Sequence, residues 1–180
     1  MGLLCLVCIA MWVVIPRMRG VRALPARRKW IQRAMELADV QPGEMVYDLG
    51  SGDGRAMVVA AREFGARAVG VEIEPVHCAV AWLRALFSGV IARVSIRCAD
   101  LRQVDLADAD VVFLYLAPVL VDQIRPQLQS TLRPGARVVS LSFPFEGWQP
   151  AGIDIGHLIF LYRMPPQRGS IETYMRSTLT

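Results

Sequence analysis

Short apolar runs alternate along the chain with longer segments in which apolar residues recur at helical spacing. Runs of ~4–8 apolar residues are typical of buried strands, and recurrence every three or four residues is typical of helices. The predicted strands are 45–49, 66–73, 94–98, 111–116 and 137–142, and the predicted helices are 29–40, 56–64, 76–87 and 120–132. Two more strand-like runs, 158–162 and 171–175, predict a hairpin at the end of the chain. The alternation predicts an α/β domain of three layers, with a mostly parallel sheet that closes on an antiparallel hairpin strand.

A glycine-rich segment, Asp48-Leu49-Gly50-Ser51-Gly52-Asp53-Gly54, follows the first predicted strand and precedes a predicted helix. Alternating glycines permit positive φ and a close approach of a ligand to the main chain, and a helix N-terminus behind them offers free N–H groups. A dinucleotide fingerprint has its third glycine one residue later and binds a pyrophosphate, which Asp48 and Asp53 would repel. An ammonium and hydroxyl groups suit these acids better, and S-adenosylmethionine carries both without a phosphate.

The predicted cofactor contacts in this loop are Asp48, Gly50, Ser51, Gly52, Asp53 and Gly54. Two alternatives to a cofactor loop stay open, namely a plain turn between strand and helix and a phosphate-binding loop. The second is disfavoured because no G-K-[ST] sequence follows the glycines.

Acidic residues also end the next two predicted strands. Glu72 lies 22 residues beyond Gly50, which is close to the distance at which an acid holds ribose hydroxyls in nucleotide-binding sheets. Asp100 follows the third strand and is predicted to accept a hydrogen bond from the exocyclic amine of adenine. Ile73 and Leu101, adjacent to these acids, complete the predicted cofactor site.

Aromatic residues follow the fourth and fifth predicted strands. Ligands of open α/β sheets bind beyond the carboxyl ends of the strands, so Tyr115 is predicted to lie beside the reacting methyl group. Phe143 and Trp148, in the loop 143–148, are predicted to form with Tyr115 a slot for the methyl acceptor. The alternative for all three is packing in the core or in a lid. His77 has no evident partner and is predicted to be an ordinary helix residue.

The N-terminal region differs in composition from the rest of the chain. Residues 2–15 carry no charge, and residues 1–33 hold seven of the 20 basic residues and none of the 16 acidic ones. We predict a membrane anchor at 1–16, a basic connector at 17–28 and the catalytic domain at 29–180, with the domain on the arginine-rich, cytoplasmic side. At ~1.5 Å per residue the apolar run spans only ~22 Å, against a hydrocarbon core of ~30 Å, so a buried or swapped helix is the alternative.

The remaining charge and the cysteines exclude other classes of function. With the N-terminal region set aside, residues 34–180 hold 13 basic and 16 acidic residues, a net charge of −3, so no nucleic-acid partner is expected. Cys5 and Cys8 have the spacing of half a zinc site but no second pair near them. No metal site is predicted, and the four cysteines favour a reducing compartment.

The motifs together resemble the class I S-adenosylmethionine-dependent methyltransferases over residues 30–175. A narrower resemblance, to small membrane-anchored protein lysine methyltransferases of mitochondria and prokaryotes, rests on the stretches 46–55, 70–73, 108–116 and 143–148. The chain departs from that group where Pro25-Ala26 replaces a frequent Pro-Thr pair and Leu141-Ser142 replaces a polar pair.

The resemblance implies a Rossmann-like sheet, S-adenosylmethionine as cofactor and a lysine side chain of a protein as methyl acceptor. A membrane-associated methyltransferase of small molecules or lipids and a non-catalytic cofactor-binding module stay open as alternatives. The oligomeric state is left open.

Overall fold

A computed structural model describes residues 26–178 of the 180-residue chain. Its helices are α1 (Arg28–Leu37), α2 (Arg55–Glu63), α3 (Pro75–Phe87), α4 (Pro118–Thr131) and α5 (Ile171–Thr178). Its strands are β1 (Met45–Leu49), β2 (Arg67–Glu72), β3 (Val94–Cys98), β4 (Val111–Leu114), β5 (Arg137–Leu141), β6 (Gly152–Asp154) and β7 (Ile159–Arg163). The predicted anchor and the connector up to residue 25 lie outside the described residues.

The strands form one seven-stranded sheet in the order β3-β2-β1-β4-β5-β7-β6. Strands β1 to β5 pair in parallel, and β7 and β6 add to the β5 edge in antiparallel orientation. The order reverses between β1 and β4, which places the crevice of an open α/β sheet beyond the ends of those two strands. The predicted three-layer, mostly parallel fold is confirmed.

The predicted terminal hairpin is wrong in one of its two strands. Residues 171–175 belong to helix α5, and β7 pairs instead with Gly152–Asp154. The helix forms because Ser170 caps it: the Thr173 N–H donates to Ser170 Oγ at 3.3 Å, and Thr173 Oγ1 accepts from the Ser170 N–H at 2.9 Å. This reciprocal capping satisfies the first donors of the helix and outweighs the strand propensity of Ile171 and Tyr174.

Two apolar layers bury the two faces of the sheet. Because side chains alternate along a strand, Val111 and Phe113 of β4 join the layer under α1, α2 and α3, whereas Val112 and Leu114 join the layer under α4. Within residues 26–178, no helix combines the length and apolar character needed to cross a membrane.

Candidate active site

The glycine loop turns sharply at the carboxyl end of β1. Gly50, Gly52 and Gly54 all have positive φ, of 80°, 51° and 78°. The N–H groups of Gly50 and Ser51 donate to the carbonyl of Val71 at 2.8 and 3.0 Å, which fastens the loop to β2. A Cβ on Gly52 would meet no atom within 4 Å, so the loop is open at this residue.

The last glycine of the loop sets the start of α2. Gly54 is the N-cap of α2, and no side chain caps that helix. A Cβ at Gly54 would approach the Cβ of Ala81 on α3 to 2.8 Å. The glycine therefore lets α2 and α3 pack closely. Because no side chain caps α2, the N–H groups of its first turn have no side-chain acceptor.

Glu72 ties the loop to the end of β2. Its Oε2 accepts from the Gly52 N–H at 2.8 Å, and its Oε1 accepts from the N–H groups of Ile73 and Glu74 at 2.9 and 3.0 Å. The buried carboxylate is thus turned toward the glycine loop. Since a carboxylate offers about four lone-pair sites, it retains capacity for a ligand hydroxyl.

Asp53 is engaged by two arginines. Arg55 Nη2 and Arg84 Nη2 donate to its Oδ2 at 2.6 and 2.8 Å, and Arg84 Nε donates to its carbonyl at 2.8 Å. Burial alone would raise the pKa of Asp53, but the hydrogen bonds from Arg55 and the charges of Arg84 and Arg55 lower it overall. The sequence predicts that Asp53 holds a ligand ammonium, and this role stays a prediction. The carboxylate already has these two cationic partners.

Asp48 is the buried carboxyl that faces the cavity without a partner. Among the described residues its side chain makes no hydrogen bond, and it is 4% exposed. Burial, followed by repulsion from Glu72 and Asp53, raises the pKa of Asp48 to about 8. A cation placed against this carboxyl would favour its ionised form. Ser51 adds a second unsatisfied group, because its buried Oγ has no hydrogen-bond partner.

These groups open on a cavity of about 250 Å³. The lining includes residues of the loop and Asp48, and it also includes Ile31 of α1, Phe113 of β4 and Tyr115 just beyond that strand. The full lining is Ala26, Ile31, Asp48, Gly50, Ser51, Gly52, Asp53, Arg55, Ala56, His77, Phe113 and Tyr115. The site therefore combines an acidic loop with an apolar wall.

The residues predicted for the nucleoside lie along the same edge of the sheet, outside the cavity lining. Ile73 is 55% exposed directly after Glu72. The Ala99 N–H donates to the Glu72 carbonyl at 3.0 Å, which brings Asp100 and Leu101 to the neighbouring strand end. Asp100 is held by Arg102 through Nη2 at 2.6 Å, and those hydrogen bonds lower its pKa.

The three aromatic residues predicted for the acceptor slot are not brought together. Tyr115 lines the cavity, whereas Phe143 is 37% exposed and outside that lining. Trp148 is 5% exposed and stacks on Phe145 with ring centroids 4.5 Å apart, in the apolar layer under α4. The cavity lies on the other face, because its Ile31 and Phe113 belong to the layer under α1 and α2.

Sequence reasoning missed two contributors to the cavity, His77 and Ala26. His77, in the first turn of α3, lines it and is exposed. Ala26 also lines it, and its carbonyl accepts from Arg55 Nη1 at 3.0 Å. The position of His77 just after the β2 end was a usable signal, since first turns that follow parallel strands border the site. No local pattern indicates the position of Ala26.

Comparisons with known proteins show the family to which the chain belongs. Residues 48–152 match the model of the ANTKMT methyltransferase domain. The protein-lysine N-methyltransferase of Saccharolobus islandicus (strain REY15A) is 36% identical over 146 residues, which cover 77% of this chain and 91% of that one. The adenine nucleotide translocase lysine N-methyltransferase of Mus musculus is 39% identical over 140 residues, covering 77% of this chain and 60% of that one.

Among solved structures, an RNA methyltransferase from Salinibacter ruber in complex with S-adenosyl-L-homocysteine superposes with a TM-score of 0.78. It is 38% identical in sequence, and the match covers 82% of this chain and 97% of that chain.

Proposed function

We propose that this chain, which belongs to the family of ANTKMT methyltransferase domains and is an S-adenosylmethionine-dependent methyltransferase, methylates the side-chain amine of lysine in protein substrates. The observation that carries the proposal is the cavity lined both by the unpartnered Asp48 and by Ile31, Phe113 and Tyr115. It is supported by two relatives named as lysine N-methyltransferases.

The apolar wall suits an amine that must lose its charge before it reacts. An ordinary lysine has a pKa of ~10.4 and is protonated at neutral pH. Removal from water lowers the pKa of an amine because the charged form loses its hydration. The side chains of Ile31, Phe113 and Tyr115 therefore favour the nucleophilic, neutral form of a lysine that is inserted beside them.

The residues present fit the cofactor. When bound, S-adenosylmethionine supplies a methyl group that is already activated by its sulfonium. The chain would hold it with the open backbone at Gly52, the buried Asp48 carboxyl, the unsatisfied Oγ of Ser51 and the spare acceptor capacity of Glu72. Since the donor is activated, the chain's task is to position the acceptor and exclude water.

The cavity is too small to hold both reactants completely. Pockets that enclose a whole ligand commonly measure ~300–1,000 Å³, whereas this one measures about 250 Å³. We infer that it receives the reacting ends of cofactor and acceptor. Glu72, Ile73 and Asp100 extend the binding surface along the sheet edge toward the nucleoside.

The fate of a labelled methyl group tests the proposal. The full chain is incubated with methyl-labelled S-adenosylmethionine and a cell extract that contains membranes. The expected product is methyllysine in acid hydrolysates of protein. Label that is removed by ribonuclease, or that is extracted with lipids or small molecules, contradicts a lysine acceptor.

A loop variant serves as the inactive control for this assay. Gly50→Arg should abolish cofactor binding in calorimetry, because Gly50 has a φ of 80° and its Cβ would lie 2.7 Å from Leu116 Cδ2. Gly43→Arg is the matched variant, since Gly43 has a φ of 85° and open space around its Cβ. Normal binding by Gly50→Arg would refute the site.

Tyr115 can be separated from cofactor binding by removal of one oxygen. Tyr115→Phe keeps the ring in the cavity wall but removes its hydroxyl. We expect slower methylation with little change in the Kd for S-adenosylmethionine. If the variant turns over at the wild-type rate, Tyr115 contributes only packing.

We further propose that residues 1–16 attach the enzyme to a membrane, with the catalytic domain on the cytoplasmic side. The proposal is supported by the uncharged run 2–15 and the arginines that follow it. Deletion of residues 1–20 should release the enzyme to the supernatant when cells are fractionated. Unchanged membrane association would contradict it.

A further inference from the structure

Helix α3 is built with its small residues inward and its bulky residues outward. Ala81 and Ala85 are fully buried against the domain. Its large apolar side chains are exposed: Val76, Val80, Trp82, Leu83, Leu86 and Phe87. A surface helix usually shows the opposite arrangement, with an apolar stripe toward the core and polar residues outside.

The exposed residues form a continuous stripe. At 3.6 residues per turn, positions 76, 80, 83 and 87 share one side of the helix, opposite positions 81 and 85. Trp82 and Leu86 widen the stripe on one flank. Phe87, at the end of the helix, is 84% exposed. We call this surface, consisting of Val76, Val80, Trp82, Leu83, Leu86 and Phe87, the outer face of α3.

The other flank of α3 belongs to the active site. His77 lines the cavity, and Arg84 donates to Asp53 of the glycine loop. The described part of the chain begins at Ala26, which lines the same cavity. The first described residue after the uncharged run 2–15 and the basic residues that follow it therefore lies at the site that α3 borders.

We propose that the outer face of α3 is a membrane-contact surface that inserts into the interfacial region of a lipid bilayer. It exposes uncharged apolar side chains, including a tryptophan and a phenylalanine, which suit the boundary between headgroups and acyl chains. Arg17, Arg19 and Arg22 lie in the sequence between the apolar run and the domain, where anionic headgroups would attract them.

The length of the connector is consistent with this contact. Residues 16–25 span at most ~35 Å when fully extended, and the 13 residues of α3 extend over ~20 Å. A domain held this close to a bilayer can lay α3 on its surface. The active-site cavity would then open near the membrane, because α3 forms part of its border.

Quenching of Trp82 fluorescence by lipid tests the proposal directly. The full chain is bound to phosphatidylcholine–phosphatidylserine vesicles, with or without bromine atoms on the acyl chains. We expect bromine to remove at least half of the Trp82 emission, obtained as the difference between the wild type and Trp82→Phe. Trp30→Phe is the matched control and should retain the quenched component. Equal Trp82 emission in both kinds of vesicle would overturn the proposal.

A second pair of variants distinguishes lipid contact by the outer face of α3 from vesicle binding through other segments of the chain. Leu83→Gln with Phe87→Gln should lose most of the Trp82 quenching while the chain still sediments with vesicles. Val119→Gln with Ile155→Gln, which changes two exposed apolar residues elsewhere, should retain it. Unchanged quenching in the first double variant contradicts the proposal.

Two other occupants of the outer face would give distinct results. If residues 2–15 or a second copy of the chain covers it, the Trp82 emission is blue-shifted without vesicles and is not quenched by bromine. A second copy would also appear as a dimer in sedimentation. Either result overturns the lipid contact, and neither bears on the lysine acceptor, because the readout does not use the methylation reaction.

Discussion

Replacing Asp48 by asparagine should make the cofactor-free enzyme more stable at neutral pH. Asparagine has nearly the shape of aspartic acid but cannot ionise. Asp48 is buried, has no hydrogen-bond partner among the described residues and lies near Glu72 and Asp53. The protein therefore holds a carboxyl group whose charged form is disfavoured where it lies, as is common in sites that bind a cation.

The size of the effect follows from the two pKa values of Asp48. An aspartate in an unfolded chain has a pKa of ~3.9, and burial raises the pKa of Asp48 to about 8 in the folded protein. At a pH between these two pKa values, the folded state holds a proton that the unfolded state has released. The free energy of unfolding therefore falls as pH rises through this range. At ~1.36 kcal/mol per pH unit, the accumulated loss at pH 7 is about 4 kcal/mol.

Asp48→Asn removes this loss, so its free energy of unfolding at pH 7 should exceed that of the wild type by on the order of 2–4 kcal/mol. Urea unfolding followed by circular dichroism at several pH values measures the difference. Below pH ~4 both states of the wild type bind the proton, so the two proteins should be equally stable there. No gain at pH 7, or a gain that does not vary with pH, would refute the burial argument.

Asp53→Asn is the matched control with the opposite sign. Despite its burial, Asp53 has a lowered pKa because Arg55 donates to it and Arg84 and Arg55 are positively charged. Its contribution to stability is present above the unfolded pKa of ~3.9 and is lost as pH falls through the lower, folded pKa. Asp53→Asn should therefore be less stable than the wild type at pH 7, and this deficit should shrink in strong acid.

Three other measurements test the site and its support. Binding of S-adenosylmethionine at pH 7 should release roughly one proton from Asp48, seen as a dependence of the calorimetric enthalpy on the buffer and absent in Asp48→Asn. Gly54→Ala should destabilise the protein more than Gly135→Ala, because both have positive φ but only Gly54 is packed against a neighbouring helix; equal losses in urea unfolding would contradict this. Trp148→Ala should lower the free energy of unfolding by about 3–5 kcal/mol without changing the Kd for S-adenosylmethionine. Phe143→Ala should leave the free energy of unfolding nearly unchanged. A raised Kd in Trp148→Ala with little loss of stability would place Trp148 in the site.

Much of the fold is readable from local patterns. Strands β1 to β5 and helices α1 to α4 were predicted because the alternation of apolar runs with helical spacing is written in adjacent residues. The exceptions are β6, for which no strand was predicted, and α5, which was predicted as a strand. Ile171, Thr173 and Tyr174 have strand propensity, and the reciprocal hydrogen bonds between Ser170 and Thr173 decide in favour of a helix.

The sequence by itself determined the glycine loop, the acid at the end of the next strand and hence the class of cofactor, because their spacing and the parallel order bring them to one edge of the sheet. Only the tertiary structure decided how the acids are used. Asp53 is paired with Arg84, 31 residues away, whereas Asp48 is buried without a partner. Burial and ion pairing depend on contacts between distant segments, and no local pattern records them.

The same distinction holds for the side chains around the loop. Tyr115 lies in the cavity lining because it follows the end of a strand, a position that the sequence indicates. The sequence does not indicate that Trp148 packs in the layer under α4 or that Ala26 lines the cavity. The face of a sheet on which a loop packs is set by the volumes available in the folded core. That choice exists only once the layers have assembled.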